Sequence, residues 1–94
     1  MRILGLLVLE EFKKKHANSR GALEAWRAEV ERAKWRATGD IKKRYPAADF
    51  LANNRVIFNI KGNTYRLVVT IGYEQGFVFV EWIGTHAEYS KKRF

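Results

Sequence analysis

The second half of the chain holds two cations, an imidazole and a phenol that the predicted strands bring to one end of a sheet: Arg66, Lys61, His86 and Tyr89. These groups suit the cleavage of RNA, which carries its own nucleophile in the 2′-hydroxyl. An enzyme then has to remove the proton of that hydroxyl, stabilise charge on the phosphate and protonate the leaving oxygen. A guanidinium binds a pair of phosphate oxygens, and an imidazole transfers protons near neutral pH.

Each of these side chains also has an ordinary structural interpretation. An arginine on a strand is more often a solvated cation, and a histidine at a strand end more often packs against or caps a neighbour. Tyr89 is able to stack on a base, share in proton transfer or lie over the sheet edge, and Glu88 is a weaker candidate base. Because the sequence has no Cys, only two His and no carboxylate cluster, we expect no metal and no other cofactor.

Three strands are predicted to position the candidate residues, because β-branched and aromatic residues alternate there with polar ones. They cover roughly residues 55–61, 64–71 and 77–84. Gly62-Asn63 joins the first two strands as a tight hairpin turn, since both residues tolerate positive φ. Cross-strand partners keep a constant sum of residue numbers, so Asn59 is expected opposite Arg66.

This register sorts the side chains of the hairpin onto two faces. One face is polar and carries Arg55, Asn59, Lys61, Thr64, Arg66 and Thr70. The other is apolar and carries Val56, Phe58, Ile60, Tyr65, Leu67, Val69 and Ile71, with Ile57 and Val68 as exceptions to the separation. The apolar face must pack under helices, which leaves the polar face exposed. Arg55 and Asn59 are therefore candidate RNA-binding residues.

The last strand is predicted to run antiparallel to the second, in a register that the sequence leaves open. Antiparallel neighbours place the end of one strand against the start of the other, so Gly84 must lie near Arg66 in any register. The segment 85–89, which contains the histidine and the tyrosine, then emerges near Lys61 and Arg66.

The first half of the chain is predicted to be helical, because its apolar residues recur at intervals of three or four. One amphipathic helix contains Val8 and Phe12, and a second contains Leu23, Trp26, Val30 and Ala33. Asn18 or Ser19 is expected to cap the second helix. The fold class is thus α+β, with two or three N-terminal helices packed on one face of a small antiparallel β-sheet.

A short third helix is predicted from Asp40 to Arg44, with Thr38 as its cap and Pro46 as the residue that ends it. Its Lys42 and Lys43 are further candidates for RNA binding, although a run of basic residues is most often a solvated helix face. Residues 47–53 are expected to form a loop, with Phe50 and Leu51 able to fill the core.

Length and composition set limits on these interpretations. A chain of 94 residues predicts one domain over 1–94, and 47% hydrophobic residues suffice for a core. The net charge of +8 favours a polyanion, an acidic protein or an anionic membrane surface as partner. No signal peptide and no apolar stretch of about 20 residues is present, so we expect a cytoplasmic protein without membrane association.

Two stretches resemble the HigB toxins of bacterial toxin–antitoxin modules, in the RelE superfamily. They are 54–69, with its Val-x-Phe-Asn-x-x-Gly-Asn hairpin, and 83–89, with Thr-His-x-Glu-Tyr. The resemblance implies a RelE-like fold and a metal-independent endoribonuclease that cleaves mRNA, commonly on translating ribosomes. It also implies neutralisation by a HigA-type helix-turn-helix antitoxin.

The resemblance assigns roles to individual positions. Arg66 matches the strand arginine that contacts the scissile phosphate, and Lys61 falls near a basic strand position. His86 lies where a second catalytic basic residue sits, and Tyr89 lies close to a tyrosine that follows the last strand. The sequence departs from its relatives at Ser90, where they tend to carry Asp, and at Glu81, where some carry Arg.

Other classes of function also fit the residues. A noncatalytic RNA- or ribosome-binding module needs only a small sheet and a strong positive charge. An interaction domain for an acidic protein is another possibility. Without the resemblance, RNA binding would be preferred to catalysis; with it, the endoribonuclease toxin is favoured. The base or codon preference, the oligomeric state and the order of proton transfers do not follow from the sequence.

Overall fold

In a computed structural model that describes residues 1–94, five strands form one sheet and three helices cover one of its faces. The strands are β1 (Arg2–Leu4), β2 (Asp49–Leu51), β3 (Arg55–Ile60), β4 (Tyr65–Gly72) and β5 (Phe77–Thr85). The helices are α1 (Leu6–Lys15), α2 (Arg20–Arg32), α3 (Thr38–Arg44) and α4 (His86–Ser90), with a 3₁₀ turn at Ala17–Ser19. The strand order is β1-β5-β4-β3-β2, and every pairing is antiparallel except that of β1 with β5. The predicted α+β class is confirmed.

The β3–β4 hairpin has the predicted register. Its cross-strand pairs include Arg55–Thr70, Ile57–Val68 and Asn59–Arg66. The turn differs in its backbone, because positive φ falls at Lys61 (54°) and Gly62 (64°) and not at Asn63. The Thr64 N–H donates to the Lys61 carbonyl at 3.1 Å and closes the turn. Register depends on the number of loop residues, so it survives this shift in the backbone conformation.

The core lies between α1–α3 and the inner face of the sheet. The inner face comprises Val56, Phe58, Ile60, Tyr65, Leu67, Val69, Ile71, Val78, Val80 and Ile83. The helices contribute Leu9, Phe12, Leu23, Trp26, Val30 and Ile41. Period two in the strands and intervals of three or four in the helices therefore identified the buried sides correctly.

The two edge strands β1 and β2 were not predicted. Residues 47–53 were expected to form a loop, yet Asp49 and Leu51 bound a short strand that pairs with β3. A strand of three residues is too short to show a period-two pattern, and β1 lies in an apolar run that precedes a helix. Gly5 makes the change of direction between β1 and α1, with φ of 80° and a Cβ position only 2.8 Å from the Val80 carbonyl oxygen.

The predicted helix caps are only partly correct. Ser19 does precede α2, but its hydroxyl donates to the His16 carbonyl at 2.7 Å and caps no N–H group. Thr38 is the first residue of α3 rather than its cap, and Ala37 precedes it. The short helix α4 was not predicted. No helix has both the length and the apolar character to cross a membrane.

A β-bulge in β5 decides what the second face of the sheet carries. Val68 pairs with Trp82 and Val69 pairs with Val80, so Glu81 is the extra residue. Since Val80 and Ile83 both belong to the core, Glu81 and Trp82 both project to the opposite face. We call this the outer face; it carries Arg55, Asn59, Arg66, Thr70, Glu81 and Trp82.

Ile57 and Val68 interrupt the polar outer face, and both are buried, with 1% and 0% exposure. The segment after β5 lies over the same face. Its Tyr89 and Phe94 rings lie close to two outer-face arginines that flank the pair on either side. The chain therefore folds back over the outer face after the sheet ends.

Candidate active site

Arg66 and Asn59 form the centre of the candidate site. They lie opposite each other on β4 and β3, and Arg66 Nη1 donates a hydrogen bond to Asn59 Oδ1. Arg66 forms no ion pair with any carboxylate. A guanidinium has five N–H donors, so an amide partner orients it while its charge and most of its donors remain open to a ligand.

Tyr89 joins this centre from α4. The guanidinium carbon of Arg66 lies 5.9 Å from the centre of the Tyr89 ring, within the range of a cation–π contact. Both side chains are half-buried. The aromatic ring and the amide of Asn59 thus hold the guanidinium from two directions.

His86 and Lys61 lie at the hairpin end of the same region. Gly84 pairs with Arg66, and the His86 N–H donates to the Thr64 carbonyl at 3.2 Å, which places the start of α4 beside the turn. The predicted convergence of these segments is confirmed for the backbone. Both side chains are exposed, and neither forms a hydrogen bond within the chain. They are free to meet a ligand.

Arg55 is held differently from Arg66. Its Nε and Nη2 atoms donate to the two carboxylate oxygens of Glu81, each at 3.2 Å, and the Thr70 hydroxyl donates to the same carboxylate. A phosphate would have to compete with Glu81 for this guanidinium. Arg55 is thus a weaker RNA-binding candidate than the sequence indicated, while Asn59 keeps its place in the site.

Lys42 and Lys43 form no hydrogen bond or ion pair with the other candidate residues. Both are exposed on α3, which lies among the helices that cover the inner face. Lys42 Nζ donates to the Ala48 carbonyl at 3.1 Å and lies 5.7 Å from the centre of the Phe50 ring. These contacts connect α3 to the start of β2, which is a structural role.

Two aromatic residues next to the site were missed from the sequence. Trp82 lies along β5 against Gly84, where an added Cβ would be 2.5 Å from the indole. Phe94 stacks on Tyr89 with ring centres 5.8 Å apart and an angle of 12° between the rings. The sequence of β5 alternates only ambiguously between apolar and polar residues, because the bulge changes which residues face outward. The alternation therefore did not show that Trp82 lies on the outer face.

Thr85 and Glu88 form a capping box at the start of α4. Thr85 N–H donates to Glu88 Oε1 at 2.8 Å, and Glu88 N–H donates to Thr85 Oγ1 at 3.1 Å. The hydrogen bond from the Thr85 backbone lowers the pKa of the Glu88 carboxyl. The structure therefore engages Glu88 as a helix cap, which makes it less suited to act as a base.

Comparison with known families assigns the chain. A model of the HigB toxin family, described as the RelE-like toxic component of a toxin–antitoxin system, matches residues 19–92. The match includes every site residue from β3 to α4, and it begins at Ser19, directly before α2. The chain belongs to the HigB toxin family. A search of curated proteins found no match.

The capping box makes the order of α4 sensitive to acid. A carboxyl whose pKa is lowered by folding stabilises the fold above its unfolded pKa, and the effect is lost as pH falls through the lowered value. Protection of the α4 amides, measured as their exchange rate relative to the intrinsic rate at each pH, should therefore fall in wild type below about pH 4. In Glu88→Gln, which keeps an acceptor at this position, this protection should change little with pH, and in Glu88→Ala it should be lower at every pH. Equal acid sensitivity in wild type and Glu88→Gln would exclude this role.

Proposed function

We propose that the chain is an endoribonuclease toxin that cleaves mRNA, on translating ribosomes, with the RNA 2′-hydroxyl as nucleophile and without a metal. The proposal rests on the contacts that Arg66 makes. This residue is an arginine without a carboxylate partner, oriented by Asn59 and Tyr89, whereas Arg55 on the same face is paired with Glu81. The membership in the HigB toxin family supports a toxic activity.

Arg66 is proposed to bind the phosphate that is cleaved. Negative charge grows on the phosphate oxygens as the 2′-oxygen attacks, and a guanidinium already oriented by the fold stabilises that charge without having to reorganise. Lys61 stands at the adjacent turn, where its exposed ammonium adds a second positive charge. Asn59 acts on the reaction through Arg66 and is a positioning residue.

His86 is proposed to move protons in the reaction. It is the one exposed imidazole at the hairpin end, and nothing in the chain holds its side chain. Tyr89 has a phenol in the same region, so it is the second candidate for proton transfer. The pH dependence of the cleavage rate in variants of His86 and Tyr89 distinguishes the base from the acid.

An antitoxin partner follows from the family, whose members are the toxic components of toxin–antitoxin systems. We infer that this partner is a HigA-type helix-turn-helix protein and that toxin and antitoxin act in the cytoplasm. The inner-face core draws on both halves of the chain, which supports one toxin domain over 1–94. A noncatalytic RNA- or ribosome-binding function is the alternative, since exposed cations and aromatic rings on one face also suit binding alone.

Replacing Arg66 tests the proposed phosphate contact. Arg66→Ala should lower the rate of RNA cleavage by about 100-fold or more, because the lost contact strengthens in the transition state. Mapping new mRNA 5′ ends after induction should show in-frame cuts for wild type and none for the variant. Coexpression of the proposed antitoxin should restore growth.

Arg32→Ala is the matched control, because Arg32 is exposed on α2 and forms no ion pair. It should cleave RNA like wild type, and circular dichroism should show the same fold for both variants. An Arg66→Ala protein that is as toxic as wild type would place the site elsewhere. RNA binding without cleavage by wild type would favour the binding module.

His86→Gln tests the proton-transfer role separately. The substitution keeps a polar side chain but removes the group that titrates, so the rate should fall and its pH dependence near neutrality should flatten. The measurement is the initial cleavage rate of one RNA over a range of pH. A variant with the wild-type pH profile and a small loss of rate would make His86 structural and leave Tyr89 and Lys61 for the same test.

A further inference from the structure

Three aromatic rings form a cluster on the outer face beside Arg66: Trp82, Tyr89 and Phe94. The Trp82 ring lies 6.3 Å from Tyr89 and 5.6 Å from Phe94, measured between ring centres. Phe94 and Tyr89 are nearly parallel, with 12° between their planes. The Trp82 plane is tilted by 44° against Tyr89 and by 55° against Phe94. All three pairs have the roughly 4.5–7 Å separation of favourable aromatic contacts.

Cations accompany each ring of the cluster. Arg55 lies 5.9 Å from the centre of Phe94, and Arg66 lies 5.9 Å from the centre of Tyr89. Lys92 Nζ lies 5.6 Å from the centre of the Trp82 ring. An aromatic ligand in the place of Phe94 would thus lie beside aromatic rings and the Arg55 guanidinium. A phosphate attached to this ligand would lie near the positive charges of Arg66 and Lys92.

Phe94 is held less firmly than the other two rings. Trp82 belongs to β5 and Tyr89 belongs to α4, whereas Phe94 lies in the segment 91–94 beyond that helix. Neither Arg93 nor Phe94 forms a hydrogen bond, and the Phe94 side chain is 38% exposed. Ring and cation contacts alone therefore keep Phe94 in the cluster, so a competing ring can replace it without breaking a hydrogen bond.

We propose that Trp82 and Tyr89 form a stacking site for a base of single-stranded RNA next to the phosphate bound by Arg66, and that Phe94 fills this site when RNA is absent. The inference rests on the proposed RNA-cleaving function. Because every base has a flat π face, such a site binds RNA with little preference for sequence. Phe94 acts as an internal competitor that lowers the affinity for RNA.

The intrinsic fluorescence of the protein reports on this site. Trp26 and Trp35 are buried, with 2% and 7% exposure, whereas Trp82 is the one tryptophan that an added base can reach. The probe is a short single-stranded RNA with 2′-O-methyl groups, which lacks the nucleophile and is not cleaved. Its titration should quench the fluorescence of the wild-type protein.

Variants of Trp82 test the stacking site, and a variant of Phe94 tests the residue that competes for it. Trp82→Ala should bind the probe about tenfold more weakly and lose the quenching, and Trp82→Phe should recover most of the affinity. Phe94→Ala should bind several-fold more tightly, because the site is then empty. Phe79→Ala is the matched control, since Phe79 is an exposed phenylalanine like Phe94 and lies on β5 like Trp82, but it is outside the cluster. It should bind like wild type.

Weaker binding by Phe94→Ala would overturn the inference, because Phe94 would then be part of the RNA-binding surface. Wild-type affinity and wild-type quenching in Trp82→Ala would also overturn it, as would a wild-type fluorescence that the RNA probe leaves unchanged. Cleavage is measured separately on unmodified RNA. If cleavage is absent while the binding pattern holds, the proposed catalysis fails and the base site stands; cleavage without the binding pattern rejects the base site alone.

Discussion

The pairing of Asn59 with Arg66 depends on the β3–β4 register, and the register depends on the core. A slip by one residue would turn Leu67 and Val69, both fully buried, toward the outer face and move Arg66 under the helices. The apolar inner face therefore excludes every register shifted by an odd number of residues, and the closed turn from Lys61 to Thr64 selects the observed one. The same packing that stabilises the sheet places an amide oxygen where it orients the guanidinium.

Because of the bulge in β5, the two arginines of the outer face differ: Arg55 has a carboxylate partner and Arg66 has none. The bulge turns Glu81 toward Arg55, which neutralises that cation, and leaves Arg66 without a carboxylate. It also places Trp82 on the outer face beside Gly84. The site thus combines one cation with an open charge and an aromatic surface, a combination suited to a phosphate and a neighbouring base. The basic residues of α3 are exposed, but they do not lie beside this aromatic surface.

The sequence was most informative where elements are long and regular. Period-two alternation over β3 and β4, with a turn of known length, predicted both the buried face and the Asn59–Arg66 pair. It failed for β1, β2 and α4, where three to five residues are too few to show a period. The ion pair of Arg55 with Glu81 could not be predicted, because it requires the bulge, and strict alternation does not identify which residue is extra. Contacts of Phe94 depend on how the segment after α4 folds back.

The central claim is that Arg66 stabilises attack by the RNA's own 2′-hydroxyl. The most direct measurement uses an RNA with a single 2′-deoxy nucleotide at a mapped cleavage position. Cleavage should stop at that position and continue at other sites, and the unmodified RNA should yield a 2′,3′-cyclic phosphate end. Cleavage of the 2′-deoxy position at the wild-type rate would mean that water is the nucleophile, and it would contradict the account of the site.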